Sequence, residues 1–103
     1  MSTQDNERRS IISSTAGGVM TDEAGAVTGD LEIATRLDAE SLYVSVRYSG
    51  ADEWYAVTGS PVSLGERPSP ADMHERVVSH LTRPGPIVEG NEEPVSLEEF
   101  SPA

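Results

Sequence analysis

The chain has 103 residues, with seven Lys+Arg against eighteen Asp+Glu, for a formal net charge of −11. That length suits one domain, and so acidic a chain lacks the basic footprint that unaided binding to nucleic acid or to an anionic membrane requires. Cysteine is absent, which excludes disulfide frameworks, thiolate metal sites and cysteine nucleophiles, and no run of about 18 apolar residues offers a transmembrane helix.

Leu, Ile, Val and Phe together supply only 21 residues, near the border between folded and disordered compositions. A folded part with loose ends is therefore expected. So small a core is marginal, and a homodimer or a bound partner would add stability. All the basic residues are Arg, a bias of a high-GC genome or a salt-adapted proteome that says nothing about mechanism.

Residues 1–10 are polar and charged and are expected to be disordered. Arg8-Arg9 ahead of Ile11-Ile12 looks like the start of an export signal. The stretch from Ser13 to Gly18 is too polar for the apolar region that must follow, so a cytoplasmic location is expected. Residues 11–30 are rich in Gly, Ala, Ser and Thr, and Ala16-Gly17-Gly18 could turn a loose hairpin between Ile11-Ile12 and Val19-Met20. Within them, Ala16 to Asp22 is echoed by Ala24 to Asp30. Biased composition is the favoured reading of that echo, over a pair of short β-segments.

From Leu31 the pattern sharpens. Leu31, Ile33 and Leu37 alternate with Glu32, Ala34 and Arg36, which predicts a strand with one apolar face. After a turn at Asp38-Ala39-Glu40-Ser41, Leu42, Val44, Val46 and Tyr48 share one face of a second strand, and Tyr43, Ser45 and Arg47 the other. Ser49-Gly50-Ala51-Asp52 turns into a third strand at residues 54–58, and Val62-Ser63-Leu64 adds an edge piece. Such short connections favour an antiparallel meander. Gly65 to Pro68 is a loop. Ser69 as N-cap, Pro70 at the first helical position, Asp72 three residues on from Ser69 and the stripe Met73, Val77, Leu81 predict a helix over 69–82, stopped by Pro84. Beyond it residues 84–103 hold five carboxylates and no base, and read as a flexible acidic tail.

The predicted fold class is thus α+β: an antiparallel meander of three to four strands over residues 31–83, packed against one C-terminal helix, with flexible acidic ends. Three antiparallel strands followed by a helix resemble the architecture of MbtH-like adaptor proteins. The tryptophan-rich signature of that family is missing, with Trp54 standing alone, and no function is carried over.

No catalytic constellation appears. Gly-x-Ser-x-Gly is absent, and without lysine neither Ser-x-x-Lys nor a phosphate-binding P-loop can form. His74 and His80 are six apart, about 240° around a helix, and cannot share one metal ion. His74 is expected to be solvated and His80 to complement the helix dipole. Asp22, Glu23 and Asp30 read as solvated turn carboxylates, since they lack the spacing of a calcium loop. No cofactor is implied.

Two groups of residues are candidates for partner contact. Tyr43, Arg47, Trp54 and Tyr55 lie on adjacent predicted strands. An exposed aromatic beside an Arg has the composition of an interface hot spot, while Tyr48 is assigned to the core. In the tail, Ser96-x-x-Glu99 could cap a turn presenting Leu97 and Phe100 to a basic-rimmed apolar groove of a partner. The expected function is accordingly a small non-enzymatic protein–protein interaction module, a regulator or adaptor. A variant is an acidic decoy of nucleic acid. The alternative is a small-molecule-binding or enzymatic domain with a pocket between sheet and helix, lined by Tyr43, Trp54, Tyr55 or His80.

Overall fold

The computed structural model describes residues 7–38, 40–64, 69–84 and 87–100. In chain order the elements are β1 (Glu7–Ser13), β2 (Val19–Thr21), β3 (Gly25–Val27), β4 (Asp30–Asp38), β5 (Ser41–Tyr48), β6 (Tyr55–Ala56), β7 (Val62–Ser63), α1 (Pro70–Leu81), β8 (Ile87–Val88) and β9 (Asn91–Glu92). The fold is α+β. The main sheet is antiparallel in the order β1-β4-β5-β6, with β7 also on β5. The hairpins β2–β3 and β8–β9 stand as small sheets of their own.

The central hairpin follows from strict alternation. β4 and β5 pair from Leu31↔Tyr48 to Asp38↔Ser41, which puts Leu31, Ile33, Leu37, Leu42, Val44 and Val46 on one face, all buried. Helix α1 lies across that face on β1 and β4 and buries Met73, His74, Val77 and Leu81. Its N-terminus is held as the sequence predicts: the Asp72 N–H donates to the Ser69 hydroxyl at 3.3 Å. Tyr48 departs from its core assignment, being 42 % exposed. It shares the apolar face of β5 but ends the strand, and the helix rests on β1 and β4 rather than on β5.

Two stretches read as lying outside the folded part take part in it. Glu7–Ser10 belong to β1, which pairs along its whole length with β4, from Glu7↔Arg36 to Ser13↔Asp30. These residues have little to bury, and what orders them is the open edge of β4, whose backbone groups need partners. The second stretch is the tail. Val95 and Leu97 are buried in the core beside Val19, Val27 and Val57. The Val95 N–H donates to the Gly18 carbonyl at 2.8 Å, the Met20 N–H to the Val95 carbonyl at 2.9 Å, and the Leu97 N–H to the Thr58 carbonyl at 2.8 Å. Gly17 and Gly59 make room for this packing. A Cβ on Gly17 would strike the carbonyl oxygens of Glu92 and Glu93, and one on Gly59, at φ +100°, would meet the Leu97 backbone. The remaining expectations for the ends concern residues 1–6 and 101–103, and these, like the loop at residues 65–68 and the Gly85-Pro86 step, lie outside the described residues.

The Gly/Ala-rich segment also differs from its favoured reading. Ile12 pairs with Leu31 in the main sheet, whereas Val19 pairs with Val27, so the hairpin turns at residues 22–24 and not at Ala16-Gly17-Gly18. The two echoing stretches supply its two strands. Asp22 and Glu23 are engaged rather than merely solvated: Asp22 accepts from the Thr58 hydroxyl at 3.0 Å and Glu23 from the Ala56 N–H at 2.9 Å, fastening the hairpin to β6.

Because the tail supplies two core residues, Leu97→Ala should cost about 2–5 kcal/mol. A chain ending at Pro84 should lose its cooperative urea transition, since a domain this size has only about 5–15 kcal/mol in hand. Circular dichroism during urea titration checks both.

Candidate functional site

The sheet has a second face, turned away from α1. Alternation along β1, β4 and β5 sets three cross-strand rows there: Glu7, Arg36 and Tyr43; Arg9, Ala34 and Ser45; Ile11, Glu32 and Arg47. Trp54, from the chain leading into β6, covers the middle of this face. Its ring lies 4.6 Å from the Arg47 guanidinium carbon and 5.3 Å from that of Arg9. Ala34, directly across from Arg9, is only 7 % exposed although it faces away from the helix. The Arg36 guanidinium stacks 4.6 Å from the Tyr43 ring. Each of these arginines also meets a carboxylate: Arg47 with Glu32 at 2.7 Å, Arg36 with Asp38 at 3.4 Å and Arg9 with Glu7 at 3.5 Å. Stacking and pairing together hold each planar guanidinium in place, so the face is pre-organised. Ile11, on the same face, is 64 % exposed.

Of the predicted contact residues, the structure brings Tyr43, Arg47 and Trp54 together here. Tyr55 is not with them. It pairs with Val46, packs partly on the core, and its hydroxyl donates to Glu53 at 3.2 Å. Leu97 is a core residue, 3 % exposed, and cannot be presented to a partner. Phe100 packs edge-on against His80, ring centroids 5.4 Å apart. The expected display of Leu97 and Phe100 on one side of a free turn is thereby corrected. Three of the residues expected to line a pocket between sheet and helix lie elsewhere. Tyr43 and Trp54 sit on the opposite side of the sheet from α1, and His80 turns toward the tail, donating through Nε2 to the Ser96 carbonyl at 2.7 Å.

What does lie between sheet and helix escaped the sequence reading. His74, expected to be solvated, is 7 % exposed. Its Nε2 shares a hydrogen bond with the Ser10 hydroxyl at 2.7 Å and its Nδ1 with the Thr35 hydroxyl at 2.8 Å. Burial, reinforced by the nearby Arg8 charge and opposed by Glu75, holds its pKa below the usual histidine value. The imidazole is thus neutral near pH 7, one ring nitrogen donating and the other accepting. A shallow recess of about 480 Å³ opens beside it, between residues 7–10 of β1 and Ala71, His74 and Glu75 of α1. A signal was present: each of the three polar residues occupies an apolar slot in its element's period. Ser10 shares a strand face with Ile12, Thr35 with Ile33 and Leu37, and His74 lies three and seven residues before Val77 and Leu81.

The third feature is a groove of about 880 Å³ between the outer side of α1 and residues 93–100. Among the described residues no group of three or more His, Asp or Glu is placed to hold a metal ion, and no helix is long and apolar enough to cross a membrane. Comparison with family models, curated proteins and solved structures returned no match to this chain.

The His74 arrangement makes stability depend on pH. The unfolded chain takes up its proton near pH 6.5, whereas the folded protein resists protonation until a lower pH. The stabilisation is therefore complete above about pH 6.5 and is lost as pH falls through the folded-state pKa. The urea midpoint should fall between pH 7.5 and 5.5, and fall less in His74→Gln. An NMR titration should place the His74 midpoint below 6.5.

Proposed function

We propose that this chain is a small non-enzymatic protein–protein interaction module, a regulator or adaptor, whose contact surface is the sheet face bearing Tyr43, Arg47 and Trp54. The observation that carries this reading is the pre-organised stack on that face, where two guanidiniums flank Trp54 and a third covers Tyr43. Large planar groups already held in place lose little entropy on docking, which is why Trp, Tyr and Arg dominate interface hot spots. The exposed Ile11 extends the apolar part of the patch. The partner is a protein offering an apolar surface with carboxylates for the guanidiniums. A second copy of the chain, giving a homodimer, satisfies the same description.

A photo-cross-linking residue at position 43 should join the chain to one discrete protein in living cells, and the same residue at position 24, on the β2–β3 turn, should not. Trp54→Ala and Arg47→Ala should each weaken capture by about 30-fold, the effect of removing about 2 kcal/mol of hot-spot energy. Equal cross-linking from both positions would remove the sheet face from the reading.

The Ser10–His74–Thr35 cluster favours a second reading, a small-molecule-binding or enzymatic domain. A serine hydroxyl 2.7 Å from a neutral imidazole has the geometry of a nucleophile with its base, and the Thr35 hydroxyl orients the ring from the other side. An aryl fluorophosphonate followed by peptide mass spectrometry decides it. Labelling of Ser10 that disappears in His74→Gln supports nucleophilic chemistry. An unlabelled Ser10 assigns the cluster to holding α1 on β1 and β4.

A further inference from the structure

The sequence makes the acidic tail a segment that inserts into a partner's basic groove. The structure reverses that geometry, because the tail is itself one wall of a groove. Val95 and Leu97 anchor it in the core, and the intervening Ser96 carbonyl is held by His80. Glu93, Glu98 and Glu99 are left along the rim. The other wall is a single stripe of α1, Asp72, Glu75, Arg76, Ser79 and His80, continued by Arg83 just past the helix end. The helical positions fall at the three- and four-residue spacings of one helix face, so the stripe runs about 12 Å along the helix axis. That is the length of about four residues of extended chain. The floor between the walls is apolar, from Met20, Pro94, Val95 and Phe100.

The charge of this groove is one-sided. Five carboxylates line it, against two guanidiniums, and one of those, Arg76, pairs with Asp72 of the same wall at 3.5 Å. That local excess of carboxylates draws cations into the groove and repels acid from it. We infer that the groove between α1 and residues 93–100 receives a cationic segment of a partner protein, an extended stretch in which Arg or Lys alternates with apolar residues. The basic side chains meet Glu93, Glu98, Glu99 and Glu75 at the rims, and the apolar ones rest on Phe100, Met20 and Pro94. This deepens the interaction-module reading, on which it rests, by adding a second surface and the chemistry of what binds there.

The probe is a fluorescein-labelled peptide of alternating Arg and Leu, about nine residues long, added to the full chain and followed by fluorescence anisotropy, with an alternating Glu-Leu peptide beside it. The Arg-Leu peptide should bind, bind more weakly as salt rises, and shift the NMR ring signals of Phe100 and His80. The Glu-Leu peptide should not bind. The triple variant Glu93→Gln, Glu98→Gln, Glu99→Gln should raise the dissociation constant at least tenfold. A second triple variant, Glu40→Gln, Asp52→Asn, Glu53→Gln, removes the same charge elsewhere and should change it less than about twofold. Equal weakening by the two triple variants would reduce the effect to net charge and overturn the proposal, as would unmoved ring signals. Trp54→Ala separates this inference from the sheet-face reading. Peptide binding that survives it supports the groove, and binding lost with it places the peptide on the sheet face instead.

Discussion

The structure depends on β4. It is the strand with a full antiparallel partner on each side, β1 along one edge and β5 along the other, and α1 crosses its apolar face. Leu31, Ile33, Thr35 and Leu37 all point under the helix and are buried. Because side chains alternate with a period of two, that commitment sends Glu32, Ala34 and Arg36 to the other side. A slip of one residue would exchange the two faces at once, so the core and the candidate contact surface are specified by the same register.

That shared register explains why the arginine-aromatic face is ordered without being a core. Ala34, the smallest side chain in the middle of the outer face, is buried there, and Trp54 lies between Arg9 and Arg47 from the strands on either side. On the inner face the same strand carries Thr35 where an apolar residue would be simplest. The hydroxyl is tolerated because His74 meets it, and His74 is tolerated because Ser10 meets its other nitrogen. A half-satisfied version of that cluster would be costlier than an apolar core, so its three members stand or fall together.

The acidic C-terminal stretch shows how composition and structure part company. Glu92, Glu93, Glu98 and Glu99 give it the look of a solvated tail, yet Val95 and Leu97, two residues apart, present one side of an extended chain to the core. Glu93, Glu98 and Glu99, which lie just before and just after the buried pair, stay exposed. Glu93, Glu98 and Glu99 are therefore fixed along one edge of a folded surface beside α1, where they border an apolar floor.

The amino-acid sequence by itself determined the local elements with strong periodicity: the β4–β5 hairpin from its alternation, α1 with its Ser69 cap and Pro70 start, and the outward pointing of Tyr43 and Arg47. It also determined that α1 must cover one sheet face, since both elements are apolar on one side only. Tertiary structure decided everything that rests on distant partners. β1 is a strand because β4 has an edge to fill. Val19 pairs with Val27 where Gly18 lets the Val27 backbone lie close, and the C-terminal stretch packs alongside because Gly17 and Gly59 leave room for Glu92, Glu93 and Leu97. His74 is buried because hydroxyls 64 and 39 residues away satisfy it. Short segments with weak intrinsic preference take the conformation that their neighbours' unpaired backbone and apolar surface demand, and a linear pattern does not display those neighbours.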